Sequence, residues 1–86
     1  MPSVDTIVFK SAKKNDFYLY LKADGEFESL PMELRRSFGT PIFVMDLTID
    51  EQISLARADP LTVLSALEEN GFYLQFPPVV HEGRQE

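Results

Sequence analysis

Ile42-Phe43-Val44-Met45-Asp46-Leu47 is the stretch on which the fold turns. It is a nearly continuous apolar run, rich in β-branched and aromatic types that favour strands. A strand with one wet face alternates apolar and polar residues. A strand covered on both faces does not need to. The run therefore predicts a central strand covered on both sides, and with it a layered α/β fold instead of a one-sided sheet.

Working outward, the residues before the run predict a short helix. Pro31 falls in its first turn, where a missing N–H costs nothing. Leu30, Leu34 and Phe38 recur at i, i+4 and i+8 and form the buried stripe. Gly39 supplies the left-handed residue after the helix, and Pro41 blocks continuation. After the run, Thr48 to Glu51 reads as a capping box opening a helix to about Arg57, which buries Ile49, Ile53 and Ala56. Asp59-Pro60 starts another helix, with Asp59 at the cap and Pro60 at the first position. Its apolar face is Leu61, Val63, Leu64 and Leu67, and Asn70-Gly71 ends it. Residues 72–76 form the last strand, closed by Pro77-Pro78.

Nearer the N-terminus, residues 6–11 and 17–22 read as two strands joined by the polar turn Ala12–Asp16, an antiparallel hairpin. Phe17, Leu19 and Leu21 share one face of the second strand, and Tyr18 and Tyr20 the other. Asp24-Gly25 marks the following turn. The expected order is β-β-α-β-α-α-β in one domain spanning residues 1–86. Order is expected over about 5–78, with a disordered tail at 79–86.

Three segments together resemble the YcgL family of small bacterial proteins. Lys13-Lys14-Asn15-Asp16-Phe17-Tyr18-Leu19-Tyr20 is similar to its basic turn and Tyr-Leu-Tyr strand. Leu30-Pro31 through Phe38-Gly39-Thr40-Pro41 to Val44-Met45 is similar to its central helix–strand block. Gly71-Phe72-Tyr73-Leu74-Gln75-Phe76-Pro77-Pro78 resembles its closing signature, with Phe72 where tyrosine is expected. The resemblance covers residues 6–78. It implies a three-layer α/β/α sandwich around a small four-stranded sheet, and it implies no activity.

Composition narrows the chemistry. An apolar share of 44% suits a folded domain, and no apolar stretch nears the roughly 20 residues that span a bilayer, so no membrane partner is expected. Without cysteine there is no disulfide and no thiol nucleophile or ligand. The opening Met-Pro-Ser-Val-Asp-Thr does not read as a signal peptide, and a cytoplasmic protein is expected. The single histidine, His81, lies in the tail, so neither a metal site nor a serine–histidine pair is expected. Ser11, Ser37, Ser54 and Ser65 thus lack a base. The glycines are scattered, so no phosphate loop forms and no cofactor is implied. Asp46 is the one acid whose setting merits attention as a catalyst, against the plainer reading of a hydrogen-bonded strand-end residue.

Charge divides the chain. Net charge is −6, yet residues 1–22 set Lys10, Lys13, Lys14 and Lys22 against Asp5 and Asp16, while residues 23–86 are strongly acidic. Two surfaces follow. The lysines of the first hairpin, with Tyr18, Tyr20, Tyr73 and Gln75 as neighbouring aromatic and polar groups, can hold phosphate or RNA weakly. The plainer reading gives the lysines to solubility and the tyrosines to packing. Arg35 and Arg36 suit the end of their helix. Glu68 and Glu69 do not: two acids face the negative end of theirs, as in a surface kept for a protein partner. A solvated acidic face is the plainer account. The expected function is a non-enzymatic protein-binding or adaptor domain, with weak RNA or phosphate binding as the alternative.

Overall fold

The computed structural model of the chain describes residues 3–53 and 59–76. Its strands are β1 (Val4–Ser11), β2 (Tyr18–Lys22), β3 (Pro41–Ile49) and β4 (Phe72–Gln75). Its helices are α1 (Met32–Phe38) and α2 (Pro60–Asn70), with a single 3₁₀ turn at Phe27–Ser29. The architecture is a small α/β fold on one four-stranded sheet in the order β3-β1-β2-β4. Every neighbouring pair is antiparallel.

The hairpin and the helix punctuation follow the sequence. β1 and β2 pair with Val8 opposite Tyr20 and Lys10 opposite Tyr18. Pro31 sits at the N-cap of α1 and Gly39 ends it at φ 78°. Asp59 caps α2 by accepting from the Thr62 amide at 3.1 Å. Gly71 closes α2 in the left-handed region at φ 86°. That conformation costs a side-chain-bearing residue more than glycine.

Two clusters divide the core. Leu19 and Leu21 of β2 pack with Phe17, Leu30 and Phe38. Tyr20 of β2 and Val8 of β1 pack with Ile49 and with Val63, Leu64 and Leu67 of α2. Successive residues of β2 thus serve different clusters, as a period of two requires.

The decisive stretch behaves otherwise. β3 is an edge strand with β1 as its sheet neighbour, and Ile42, Phe43 and Met45 are 40%, 59% and 46% exposed. The expectation of a central strand covered on both sides is wrong here. The strand covered on both sides is β2, where Leu19, Tyr20 and Leu21 are all buried. Tyrosine misleads because its ring fills core space while its hydroxyl reads as polar. A β-bulge opposite Val8 and Phe9 adds to the difference: Val44 is the extra residue, and it packs against the Tyr20 cluster while Met45 stays exposed.

The capping box at Thr48–Glu51 is also corrected. Thr48 and Ile49 continue β3, where Ile49 is fully buried and Thr48 donates to the Asp5 carboxylate at 3.1 Å. Strand pairing with Val4 and Asp5 claims the residues that the cap needed. Asp50 instead forms a local turn, accepting from the Gln52 amide at 2.9 Å. The rest of the helix expected there falls largely on residues 54–58, outside the described residues, as do the tail and His81. Leu61, placed on the apolar face of α2, is 56% exposed, because that face is carried by Val63, Leu64 and Leu67.

Candidate functional site

The first hairpin turn is organised by a residue that composition alone passes over. The Ser11 side chain accepts from the amides of Lys13 and Lys14 at 2.9 and 3.0 Å and donates its own proton to the Phe38 carbonyl. The turn is thereby tied to the end of α1. The Ser11 amide reaches the Phe17 carbonyl at 2.9 Å and closes the loop. Asp16 adopts φ 61°, the left-handed region that Asp and Asn tolerate best after glycine.

This geometry separates the three lysines. Lys13 lies along Gly39, where a Cβ would meet its side chain at 2.6 Å, and its ammonium donates to the Arg36 carbonyl at 3.1 Å. It completes the end of α1, where carbonyls want donors. Lys14 stands over the Phe17 ring, 5.7 Å from its centre. Phe17 in turn stacks on Phe76 at 5.1 Å and meets Phe38 edge-on at 5.0 Å. Lys10 projects from β1 between Tyr18 and Ile42. Lys10 and Lys14, with Ser11, Asn15, Asp16 and Tyr18, line a concavity of about 330 Å³.

The tyrosines and Gln75 share a sheet face, since Tyr18 pairs with Gln75 and Tyr20 with Tyr73. They are not equally available. Tyr20 is buried and its hydroxyl donates to the buried Gln75 amide oxygen at 3.0 Å. The Tyr73 ring meets Tyr20 edge-on at 5.8 Å. Burial raises the Tyr20 phenol above its ordinary pKa, and the nearby Tyr73 and Tyr18 add to the effect. Tyr20 and Gln75 therefore form an internal polar pair. Tyr73 lies half-buried beside it, and half-buried Tyr18 is the ring that reaches the concavity.

The acidic surface lies on α2. Glu68 and Glu69 are exposed, and no basic residue stands in the last turn of that helix. Glu68 borders a second concavity of about 400 Å³, with Asp5, Lys22 and Asp24 among its walls. Asp46 is exposed within β3, opposite Ile7, outside either concavity. Arg35 donates from Nε to the Leu30 carbonyl at 3.1 Å, a local helix contact. Among the described residues, no three histidine, cysteine or carboxylate groups converge as metal ligands. No described helix is long and apolar enough to cross a membrane.

Two features escaped the sequence. One is Ser11, whose signal was a serine ahead of a turn with free amides two and three residues on. The other is the exposure of Ile42, Phe43 and Met45 along β3. Its signal was Pro41 at the strand start and Asp46 within it, both better suited to an edge than to a sheet centre.

Comparison with known proteins finds relatives over most of the chain. The YcgL domain model matches residues 6–78. A YcgL domain-containing protein of Pectobacterium carotovorum is 47% identical over 74 residues, covering 86% of this chain and 87% of its own. One from Thioalkalivibrio sulfidiphilus is 44% identical over 71 residues, covering 83% and 88%. One from Stenotrophomonas maltophilia is 47% identical over 73 residues, covering 85% of each.

Proposed function

The chain belongs to the YcgL domain family, and for it we propose a non-enzymatic protein-binding function in which an extended partner segment adds as a strand along β3. The observation that carries this reading is the exposure of Ile42 and Met45 on one face, and of Phe43 on the other, along a nine-residue edge strand. Edge strands offer unpaired backbone groups, and natural proteins usually protect them with lysines or prolines along their length. β3 has Pro41 at its start, one bulge, and Asp46 as its single charge. Backbone pairing supplies affinity in strand addition, and the exposed side chains supply selectivity.

Charge defines the partner. Asp46 lies in the strand, Asp50 and Glu51 follow it, and the chain carries a net −6. The complementary segment is apolar with a basic residue positioned to meet Asp46. A second copy of this chain would instead bring like charges together.

The α/β/α layering and a cytoplasmic location belong to the same reading. Two core clusters, one built with α2 and one with Leu30 and Phe38, support a layer on each sheet face. The lack of cysteine supports the location.

Selection of displayed peptides against the folded protein tests the proposal. Alternating apolar peptides with a lysine or arginine should emerge and shift the β3 amides in NMR spectra. Phe43→Lys with Met45→Lys should abolish binding and leave the fold intact. Failure to select any peptide that shifts β3 sinks the reading. Binding lost on charge reversal at Glu68 and Glu69, but kept in the β3 variant, moves the interface to the acidic end of α2. Dimerisation through β3 in sedimentation runs replaces the partner with a second copy.

A further inference from the structure

We infer that the concavity at the first hairpin is a binding site for a small phosphorylated, hydroxyl-bearing ligand, of the sugar-phosphate or nucleotide class. It is independent of the β3 edge.

Three observations lead there. First, the lysines are not equivalent. Lys13 is committed to the Arg36 carbonyl and to the surface of Gly39, whereas Lys10 and Lys14 converge on one hollow from different parts of the hairpin. Second, the hollow is held by the fold. Ser11 fixes the Lys13 and Lys14 amides and anchors the turn to α1, and Lys14 rests over Phe17, whose ring is buried against Phe38. A positioned Lys14 costs a ligand less ordering than a free surface lysine would. Third, the remaining lining groups have complementary uses. Asn15 offers an amide, Asp16 a carboxylate and Tyr18 a half-buried phenol ring.

Their chemistry selects the ligand. Two ammonium groups suit a phosphate oxygen cluster. Asp16 repels a bare phosphate or a polyanion but accepts from a hydroxyl held at a distance from that phosphate. The volume of about 330 Å³ falls at the small end of ligand pockets. An RNA strand fits less well, because residues 23–86 set twelve acids against four arginines and would repel the strand beyond the hairpin.

NMR titration of the full chain with inorganic phosphate, ribose 5-phosphate and a short single-stranded RNA tests this at low and moderate salt. Ribose 5-phosphate should shift amides of residues 10–18 saturably and bind severalfold more tightly than phosphate. The double variant Lys10→Gln with Lys14→Gln should weaken both by about tenfold or more. Asp16→Asn, which tolerates the same positive φ, should narrow the gap between sugar phosphate and phosphate. Asn15→Asp adds a negative charge without touching a lysine and should also weaken both. Lys13→Gln should leave affinity in place while loosening α1. No saturable shift, or shifts that survive the double variant, would overturn the site. RNA binding far tighter than the sugar phosphate, with a salt slope of several phosphates, would assign the surface to nucleic acid instead.

Discussion

β2 and β3 carry different patterns, and each occupies the situation that the other's pattern suggests. β2 alternates tyrosine and leucine, the pattern of a strand with one wet face, and it lies inside the sheet with Leu19, Tyr20 and Leu21 all buried. β3 is almost uniformly apolar, the pattern of a buried strand, and it lies at the edge with three large apolar side chains exposed. Hydrophobicity measures what a residue tolerates, and sheet order decides what it gets. An aromatic hydroxyl is buried cheaply when a partner waits for it, as Gln75 does for Tyr20.

The comparison is broken most directly by deleting side chains from each strand. Leu19 is fully buried, and Leu19→Ala should cost about 3 kcal/mol of unfolding free energy from lost transfer energy and the cavity left behind. Phe38→Ala, which removes the ring linking α1 to Phe17, should cost about 3–5 kcal/mol. Both are read by urea denaturation. If Leu19→Ala were nearly neutral, β2 would not be the strand covered on both faces.

Tyr20 sharpens the comparison from the polar side. Tyr20→Phe keeps the ring and leaves the Gln75 amide oxygen without its donor, at a cost of about 1–2 kcal/mol. The variant also carries a pH signature. Burial, helped by Tyr73 and Tyr18, raises the Tyr20 pKa above 10.0. The folded chain therefore holds this proton more tightly than the unfolded chain. The associated stability is fully present below about pH 10 and is lost as pH rises through the folded-state value. Wild-type protein should lose stability on that alkaline limb, and Tyr20→Phe should lose less. Parallel curves for the two proteins between pH 8 and 11 would mean that Tyr20 ionises as freely folded as unfolded.

Much of the fold was legible because its signals were local. Asp59-Pro60 and Asn70-Gly71 mark α2 through cap chemistry that depends on a few neighbours. The Leu30, Leu34, Phe38 stripe and the hairpin of β1 and β2 are equally short-range. What failed depended on distant partners. The rank of β3 within the sheet is set by β1 pairing with β2 on one side and β3 on the other, which no run of six residues encodes. Thr48 was drawn to a cap by its own sequence and to a strand by Val4 and Asp5, more than forty residues away. The hairpin site was half legible: its lysines were visible, but the commitment of Lys13 to α1 came from Gly39 and Arg36, and the burial of Tyr20 came from Ile49 and α2, with Gln75 as partner for its hydroxyl.

The smallest stability effect belongs to the residue that most distinguishes β3. Phe43 is 59% exposed, so Phe43→Ser removes little buried area and leaves backbone pairing with Phe9 in place. Stability should change by about 0.5 kcal/mol or less, as for most surface substitutions. A structural role would make the change as costly as at Leu19, since Phe is the larger side chain. Near-neutrality in the urea curve together with loss of peptide binding at β3 would separate recognition from folding at this position. A loss of about 2 kcal/mol or more would mean that Phe43 is covered in solution, and the edge would then no longer be free for a partner strand.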